Sequence, residues 1–432
     1  MTFEEFILAH QEDDTARLLL SRKQFPDIDV SLAVNTIESR RKIRRKVPEW
    51  YALTALEFPS PLSAEQCSSS ATAAYKAALL KQLEAGTASG ATETWAAATR
   101  GGLRVADLTG GLGVDSVAFS KVAEEVLYND MSPELVAAAK NNFALLGARN
   151  VRFSCRALEK WALESILDGF QPDVIFLDPA RRDASSRKVF RLEDCSPDIT
   201  VLQDELLAAA RYVLVKISPM ADLSILLRTL PNISEIHIVE TGGECKELLL
   251  LLDRDHPAAQ PSIIVVSAEN TACFKTLQFT PDEIAAAIPH LAGATDFSDI
   301  SSPALPALPA AEKGLRLFEP GKALAKSGAF NLISERYGLR KLDVNTHLYV
   351  AEEIPEEIRN FGKVFQILET APLCRQSLKD FCRKYPRAEV TARNIPMTSE
   401  ALRARLGCAS GGDVHIFGVL AASQKRLIAA DL

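Results

Sequence analysis

Hydrophobic and polar positions alternate differently in successive stretches of this 432-residue chain, and each pattern predicts its own kind of element. Over residues 1 to about 100, apolar side chains recur near helical period in Phe6-Ile7-Leu8, Ala16 to Leu20 and Leu32 to Ile43, with breaks at Pro26, Pro48 and Phe58-Pro59-Ser60-Pro61. The hydroxyl-rich start of Glu65 to Lys76 offers N-caps to an alanine-rich helix, and Ala85 to Gly102 reads as a flexible joint. Short apolar strands then alternate with helical segments: Val105 to Asp107, Glu125 to Asp130, Pro172 to Asp178, Val213 to Ile217, a helix over Leu223 to Leu230, then strands Glu235 to Glu240 and Lys246 to Leu252 joined around Gly242-Gly243. Ile263 to Val266 and Phe274 to Leu277 suggest a further strand pair, and Pro303, Pro306 and Pro309 mark an extended linker. Beyond it, strands at Lys363 to Leu368, Ala388 to Ala392 and Val414 to Leu420 enclose helices at Gln376 to Lys384 and Ser399 to Leu406, an α+β rhythm of ferredoxin-like type. The expected organisation is a helical accessory domain at 1–100, an α/β domain at 101–280, a Pro/Ala-rich linker at 281–311 and an α+β domain at 312–432.

Composition narrows this picture. With 47% apolar residues the chain can bury several cores, yet no apolar run approaches the roughly 18 residues of a membrane span. The acidic start Met1-Thr2-Phe3-Glu4-Glu5 lacks the basic region of a signal peptide. Eight cysteines are scattered without a C-x-x-C pair and read as reduced thiols, so a cytoplasmic protein is expected. Six dispersed histidines, none at i, i+4 spacing, give a metal site little support. A net charge of −7 argues against polyanion binding by the whole surface, but two local clusters are basic. Arg40 to Lys46 carries six positive charges in seven residues, and Arg181, Arg182, Arg187, Lys188 and Arg191 follow the strand that ends at Asp178. The first reads equally as a solvated helix face or a nucleic-acid contact; the second favours substrate binding.

The chemistry concentrates at Val105-Ala-Asp-Leu-Thr-Gly-Gly-Leu-Gly-Val-Asp115, an apolar strand running through a glycine-dense turn into a helix. Glycines 110, 111 and 113 allow a tight bend and close approach of backbone to a ligand, and the helix that follows begins with unpaired N–H groups. Asp130, twenty-three residues after Asp107, ends the second strand, where a carboxylate can grip a ribose diol. A dinucleotide fingerprint read from Gly111 would place Gly or Ala at 116, where Ser116 stands.

With Pro172-Asp-Val-Ile-Phe-Leu-Asp-Pro-Ala-Arg-Arg182 added, residues 103 to about 255 resemble a class I S-adenosylmethionine-dependent methyltransferase. The resemblance implies a Rossmann-like sheet of seven strands in the order 3-2-1-4-5-7-6 and S-adenosyl-L-methionine as cofactor. It assigns Asp107, Thr109, Gly110, Gly111 and Gly113 to the first motif, Thr109 standing for the usual first glycine. It gives Asp130 to the ribose, Met131 to the adenine face, and Arg156 and Ala157, in Phe153-Ser-Cys-Arg-Ala157, to the place after the third strand near the adenine amino group. The segment ahead of the first motif often closes over the cofactor in this family, so Gln66 and Ser68 either touch it or serve as caps.

Asp178-Pro179-Ala180-Arg181 resembles the Asp-Pro-Pro-aromatic motif of amino-group methyltransferases acting on nucleic acid, and the Asp-Pro-Pro-Arg motif of uracil C5 methyltransferases. Carbon methylation demands a cysteine nucleophile at the end of the next strand, where Ser218 stands. Nitrogen methylation asks only for Asp178 and the Pro179 carbonyl to hold an amino group, with Arg181 able to stack on a base. The tail resembles the THUMP-like domain that accompanies certain bacterial methyltransferases, which implies an RNA substrate, and Arg393, Arg403 and Arg405 are candidates for a phosphate-contacting face.

Overall fold

The computed structural model describes residues 1–89, 102–181, 192–255, 260–293 and 314–432, with only the backbone described at 86–89 and 181. The chain divides into two compact units: one holds Met1–Gly242, Lys246–Pro261 and Ala268–Phe274, the other Gly243–Cys245, Ser262–Ser267 and Lys275–Leu432.

The first unit begins with helices α1 (Phe3–His10), α2 (Thr15–Leu20), α3 (Val30–Ile43), α4 (Pro48–Tyr51), α5 (Pro61–Gln66) and α6 (Ser70–Ser89). Thr2, Asp14, Asp29 and Ser60 cap the first three and the fifth through their side chains. Helix α6 runs through the start of the expected joint, past Ala85 and Gly86 to Ser89, its alanine-rich sequence carrying the helix across the glycine. Residues 90–101 of that joint lie outside the described residues, as do Arg182, Arg187, Lys188, Arg191 and residues 294–311 of the expected linker, whose start at Pro281–Ala286 is a helix instead.

The α/β part follows as β1 (Arg104–Asp107), α7 (Val114–Ser120), β2 (Glu125–Asn129), α8 (Pro133–Leu145), β3 (Val151–Ser154), α9 (Leu163–Leu167), β4 (Val174–Leu177), the short pair β5 (Ala180–Arg181) and β6 (Cys195–Ser196), α10 (Ile199–Ala209), β7 (Tyr212–Ile217), α11 (Leu223–Thr229), β8 (Ile233–Thr241) and β9 (Glu244–Asp253). Strands β3, β2, β1, β4, β7, β9 and β8 lie side by side in that order, which is 3-2-1-4-5-7-6 when the short pair is left out, as expected. Neighbours from β3 to β7 are parallel and β9 is antiparallel to β7, so the reversal is made by the β8–β9 hairpin, turning through Gly242 and Gly243 at φ 60° and 74°. Strands β1 and β4 are buried almost throughout, as parallel strands covered on both faces must be. Ile43, Val47, Trp50, Leu56 and Phe58 share one core with Leu112, Val114, Tyr128 and Phe143, which fixes the N-terminal helices against the glycine turn and α8. Asn142 reinforces this, donating to the Glu57 carbonyl (2.7 Å) and accepting from the Glu57 N–H (2.9 Å).

The chain passes from one unit to the other around β10 (Ser262–Ala268) and β11 (Phe274–Phe279), followed by α12 (Pro281–Ala286). The second unit then adds β12 (Arg316–Pro320), α13 (Lys322–Lys326), α14 (Phe330–Tyr337), β13 (Arg340–Asp343), β14 (Thr346–Ala351), α15 (Glu356–Arg359), β15 (Gly362–Pro372), α16 (Arg375–Lys384), β16 (Glu389–Arg393), α17 (Ser399–Leu406), β17 (Val414–Ala421) and β18 (Gln424–Asp431). Its sheet runs β13-β14-β12-β15-β18-β17-β16, with β16 and β17 the parallel pair. Four of these strands, β12, β13, β14 and β18, are absent from the pattern read above.

Candidate active site

The glycine turn, Asp130 and Asp178 hang from the carboxyl ends of β1, β2 and β4. After β1 the chain turns through Gly110 to Gly113, with the Gly113 N–H donating to the Gly110 carbonyl (2.9 Å) and the Gly110 N–H to the Asn129 carbonyl (2.8 Å). Gly111 and Gly113 sit at φ 52° and 89°, the left-handed region that glycine alone enters without strain. A Cβ on Gly110 would lie within 3.0 Å of the ring of Tyr128, whose hydroxyl donates to the Gly111 carbonyl (2.6 Å). The turn is therefore pressed onto β2 and held there. Asp130 spends one carboxylate oxygen on the Gly111 N–H and the other on the Ser132 N–H, both at 2.8 Å. Its remaining lone pairs can accept from ligand hydroxyls. Met131 beside it is 72% exposed, an apolar side chain turned outward at the rim.

These groups enclose a cavity of about 320 Å³. Asp107, Thr109, Gly110, Gly111, Gly113, Asp130, Met131, Arg156, Ala157 and Asp178 all line it. Pro179 follows Asp178 without being a lining residue, and Arg181 is described only by its backbone, in β5. Gln66 and Ser68 line the cavity as well, and the capping role falls to Ser69, which accepts from the Thr72 N–H (3.2 Å).

Charge at the site is arranged in two layers. Asp107, 1% exposed, accepts from Ser116 Oγ (2.5 Å) and from the Thr109 N–H (3.2 Å). Burial pushes it up to about 8, with Asp115 and Asp178 adding to the rise against the Ser116 and Thr109 hydrogen bonds, so near pH 7 it is largely neutral. Asp178 pairs through Oδ2 with Lys216 Nζ at 2.5 Å. Burial works against the charge of Lys216, but Asp178, then Glu247 and Asp115, outweigh it and hold the ammonium above the ordinary lysine range. Behind the cavity wall Lys76, wholly buried, donates to Ser68 Oγ (2.9 Å) and Glu247 Oε1 (2.7 Å) and lies 3.2 Å from Asp115 Oδ1, while Ser68 donates to Asp115 Oδ2 (2.7 Å). Neither lysine is visible as functional in the sequence, because each meets partners far away along the chain.

The basic cluster at 40–46 is mostly structural. Arg40 is buried and donates to the carbonyls of Tyr51 (2.7 Å) and Leu53 (3.0 Å), Arg41 donates to those of Gln11 and Asp13, Lys42 pairs with Glu65, and Lys46 donates to the Glu65 carbonyl. Arg393 and Arg403 of the tail pair with Glu319 and Glu389. Among the described residues no cluster of three or more His, Cys, Asp or Glu could hold a metal ion, and no helix is long and apolar enough to cross a membrane.

Two family models match the second unit: a ferredoxin-like domain over residues 317–358 and a THUMP domain-like model over 362–431. An uncharacterized S-adenosylmethionine-dependent methyltransferase of Mycobacterium tuberculosis is 25% identical over 304 residues, which is 70% of this chain and 73% of the relative. The crystal structure of a protein from Porphyromonas gingivalis W83, assigned as a methyltransferase, is 28% identical and superposes over 99% of this chain and 96% of its own with a TM-score of 0.78. These likenesses in sequence and fold are to S-adenosylmethionine-dependent methyltransferases, and they support that activity for the chain. Its tail is THUMP-like. A shorter stretch of 86 residues, 20% of this chain and 19% of the relative, is 33% identical to an uncharacterized RNA methyltransferase of Bacillus cereus.

S-adenosylmethionine is the cofactor of this family, and the methyltransferase has the residues to fit it. The turn is one that added Cβ atoms would obstruct, Asp130 stands at the end of β2, and the cavity falls at the small end of the range of roughly 300–1,000 Å³ for small-molecule sites.

Proposed function

We propose that this methyltransferase transfers the methyl group to a nitrogen atom of a base in structured RNA. The observation that carries this reading is the position of Asp178: a carboxylate at the end of β4 that lines the same cavity as the glycine turn and Asp130. When bound, S-adenosylmethionine supplies an electrophilic methyl on a positively charged sulfur. Asp130 would hold the ribose hydroxyls, Met131, Arg156 and Ala157 would border the adenine, and the turn at 109–113 would take the methionine portion by its backbone. Asp178 and the Pro179 carbonyl would accept hydrogen bonds from the acceptor amino group, turning its lone pair toward the methyl carbon. Arg181 would stack on the base.

Holding both reactants in near-attack geometry away from water accounts for most of the rate gain expected of such a site. Ser218, standing where carbon methylation requires a cysteine, supports nitrogen as the acceptor. The THUMP-like tail and the short stretch shared with an RNA methyltransferase support RNA as the substrate class.

The test is transfer of tritium from labelled S-adenosylmethionine into total RNA, protein extract or small metabolites from cells lacking the gene. Label entering RNA, and lost with Asp178→Ala, is the expected result. Label entering only protein or metabolites would overturn the substrate class, and undiminished transfer by Asp178→Ala would overturn the assignment of the acceptor carboxylate.

A further inference from the structure

Thr109 stands in the glycine turn, yet its side chain points away from the bend's own business. Its hydroxyl oxygen accepts the Asp178 N–H at 2.6 Å, bridging 69 residues of sequence, while its own N–H donates to Asp107 (3.2 Å). Thr109 also lines the cavity. A glycine at this place, as the family resemblance would have it, could not make the bond to Asp178. From the other side Lys216, one position beyond the Leu177↔Val215 pairing of β4 with β7, grips Asp178 Oδ2 at 2.5 Å. Asp178 is thus fixed at its backbone by the cofactor turn and at its side chain by strand β7. Among the described residues Lys216 is its side-chain ion-pair partner, and Oδ1 is the oxygen left for an acceptor.

We propose that Thr109 and Lys216 act as positioning residues for Asp178, and that the Thr109 hydroxyl transmits occupancy of the cofactor pocket to the loop that receives the acceptor. The physical reason is geometric. The turn carries the backbone that meets the ligand, so settling it on a ligand settles Thr109 Oγ1 and the amide bonded to it. Methyl transfer demands that the reacting atoms approach to about 3–3.5 Å in line, so a small displacement of Asp178 costs rate rather than affinity. The Lys216 ammonium keeps Oδ2 occupied and so fixes the orientation of the carboxylate that presents Oδ1.

The role of Asp178 in holding the acceptor rests on the function proposed above; the linkage between turn and loop does not, and the test separates them. Amide hydrogen exchange over residues 176–181 of the full-length protein is measured with and without S-adenosylhomocysteine, whose affinity is followed by calorimetry. In the wild type the ligand is expected to slow exchange of the Asp178 amide at least tenfold. With the ligand at a concentration that calorimetry shows to be saturating for each variant, Thr109→Val should abolish that slowing, and Thr109→Ser, which restores the hydroxyl, should recover it. Slowing that survives Thr109→Val overturns the linkage, as does an equal loss in the valine and serine variants. For Lys216, the methionine variant should lose at least tenfold in single-turnover transfer to RNA from cells lacking the gene with ligand affinity kept, and Lys216→Arg should recover part of it. Loss of ligand affinity in parallel with rate would overturn the positioning role. If Asp178→Ala transfers normally, the acceptor assignment fails while the exchange measurement still decides the linkage.

Discussion

Asp107 makes stability depend on pH in a direction opposite to most carboxylates, and replacing it with asparagine tests the reason. Its carboxyl is 1% exposed at the end of β1 and holds its proton up to about pH 8, against an ordinary value of 3.8. Between those two values the folded chain binds a proton that the unfolded chain has released, so stability falls as pH rises and the loss is complete above about pH 8. Each tenfold in proton affinity is worth about 1.4 kcal/mol, which puts the full loss on the order of 5 kcal/mol. The asparagine of Asp107→Asn would keep an acceptor for the Thr109 N–H and a partner for Ser116 but could not ionise. Tryptophan fluorescence during urea unfolding reports on the relevant unit, because among the described residues the tryptophans, Trp50 and Trp161, both fall in the first one. Relative to Asp107→Asn, the wild type should lose several kcal/mol between pH 5 and pH 8.5. Parallel curves for the two proteins, or a wild type that gains on the variant as pH rises, would refute the burial of an ionisable carboxyl at this place.

Asp130→Ala removes the acceptor of the Gly111 and Ser132 N–H groups and should raise the S-adenosylmethionine Kd by tenfold or more in calorimetry, about 1.4 kcal/mol or above, with folding retained by circular dichroism. Gly110→Ala drives a methyl into Tyr128, a ring boxed in by Phe143 and Phe153; overpacking of this kind costs about 1–3 kcal/mol, read as a lower urea midpoint, and cofactor binding should fall with it. Lys76→Met strands the buried Glu247 and Asp115 carboxylates and should cost about 3–5 kcal/mol in urea unfolding, and adding Glu247→Gln should return part of the loss.

What could be read from the sequence was whatever depends on neighbours within a few residues. The glycine turn, the acid at the end of β2 and the Asp178-Pro179 step announce themselves because bend, strand and carboxylate follow one another directly. Lys216 and Lys76 did not, since their partners lie 38 and 171 positions away and only the tertiary fold brings them together. The charge run at 40–46 hides its bonds for the same reason: Arg40, Arg41 and Lys42 meet carbonyls and a carboxylate 11 to 30 positions away, which a local reading counts as solvent. In the tail, β18 was passed over because Leu427 to Ala430 are buried in succession. A strand lying between β15 and β17 and covered on both faces has no alternation to betray it.

That same strand order bears on how the tail can be handled. Strand β12 belongs to the stretch matched as ferredoxin-like and β15 to the THUMP-like stretch, yet the two are laced antiparallel from Arg316↔Gln366 to Pro320↔Gly362. Leu317, Leu348 and Val350 are sunk in one apolar interior with Phe365, Phe417 and Ile428. Severing the chain between the halves would bare a strand edge on each fragment and open that shared interior, inviting aggregation instead of yielding two modules. For truncation, domain transplantation or expression trials, the two matched stretches therefore belong together, along with the residues from Lys275 on that share their compact unit.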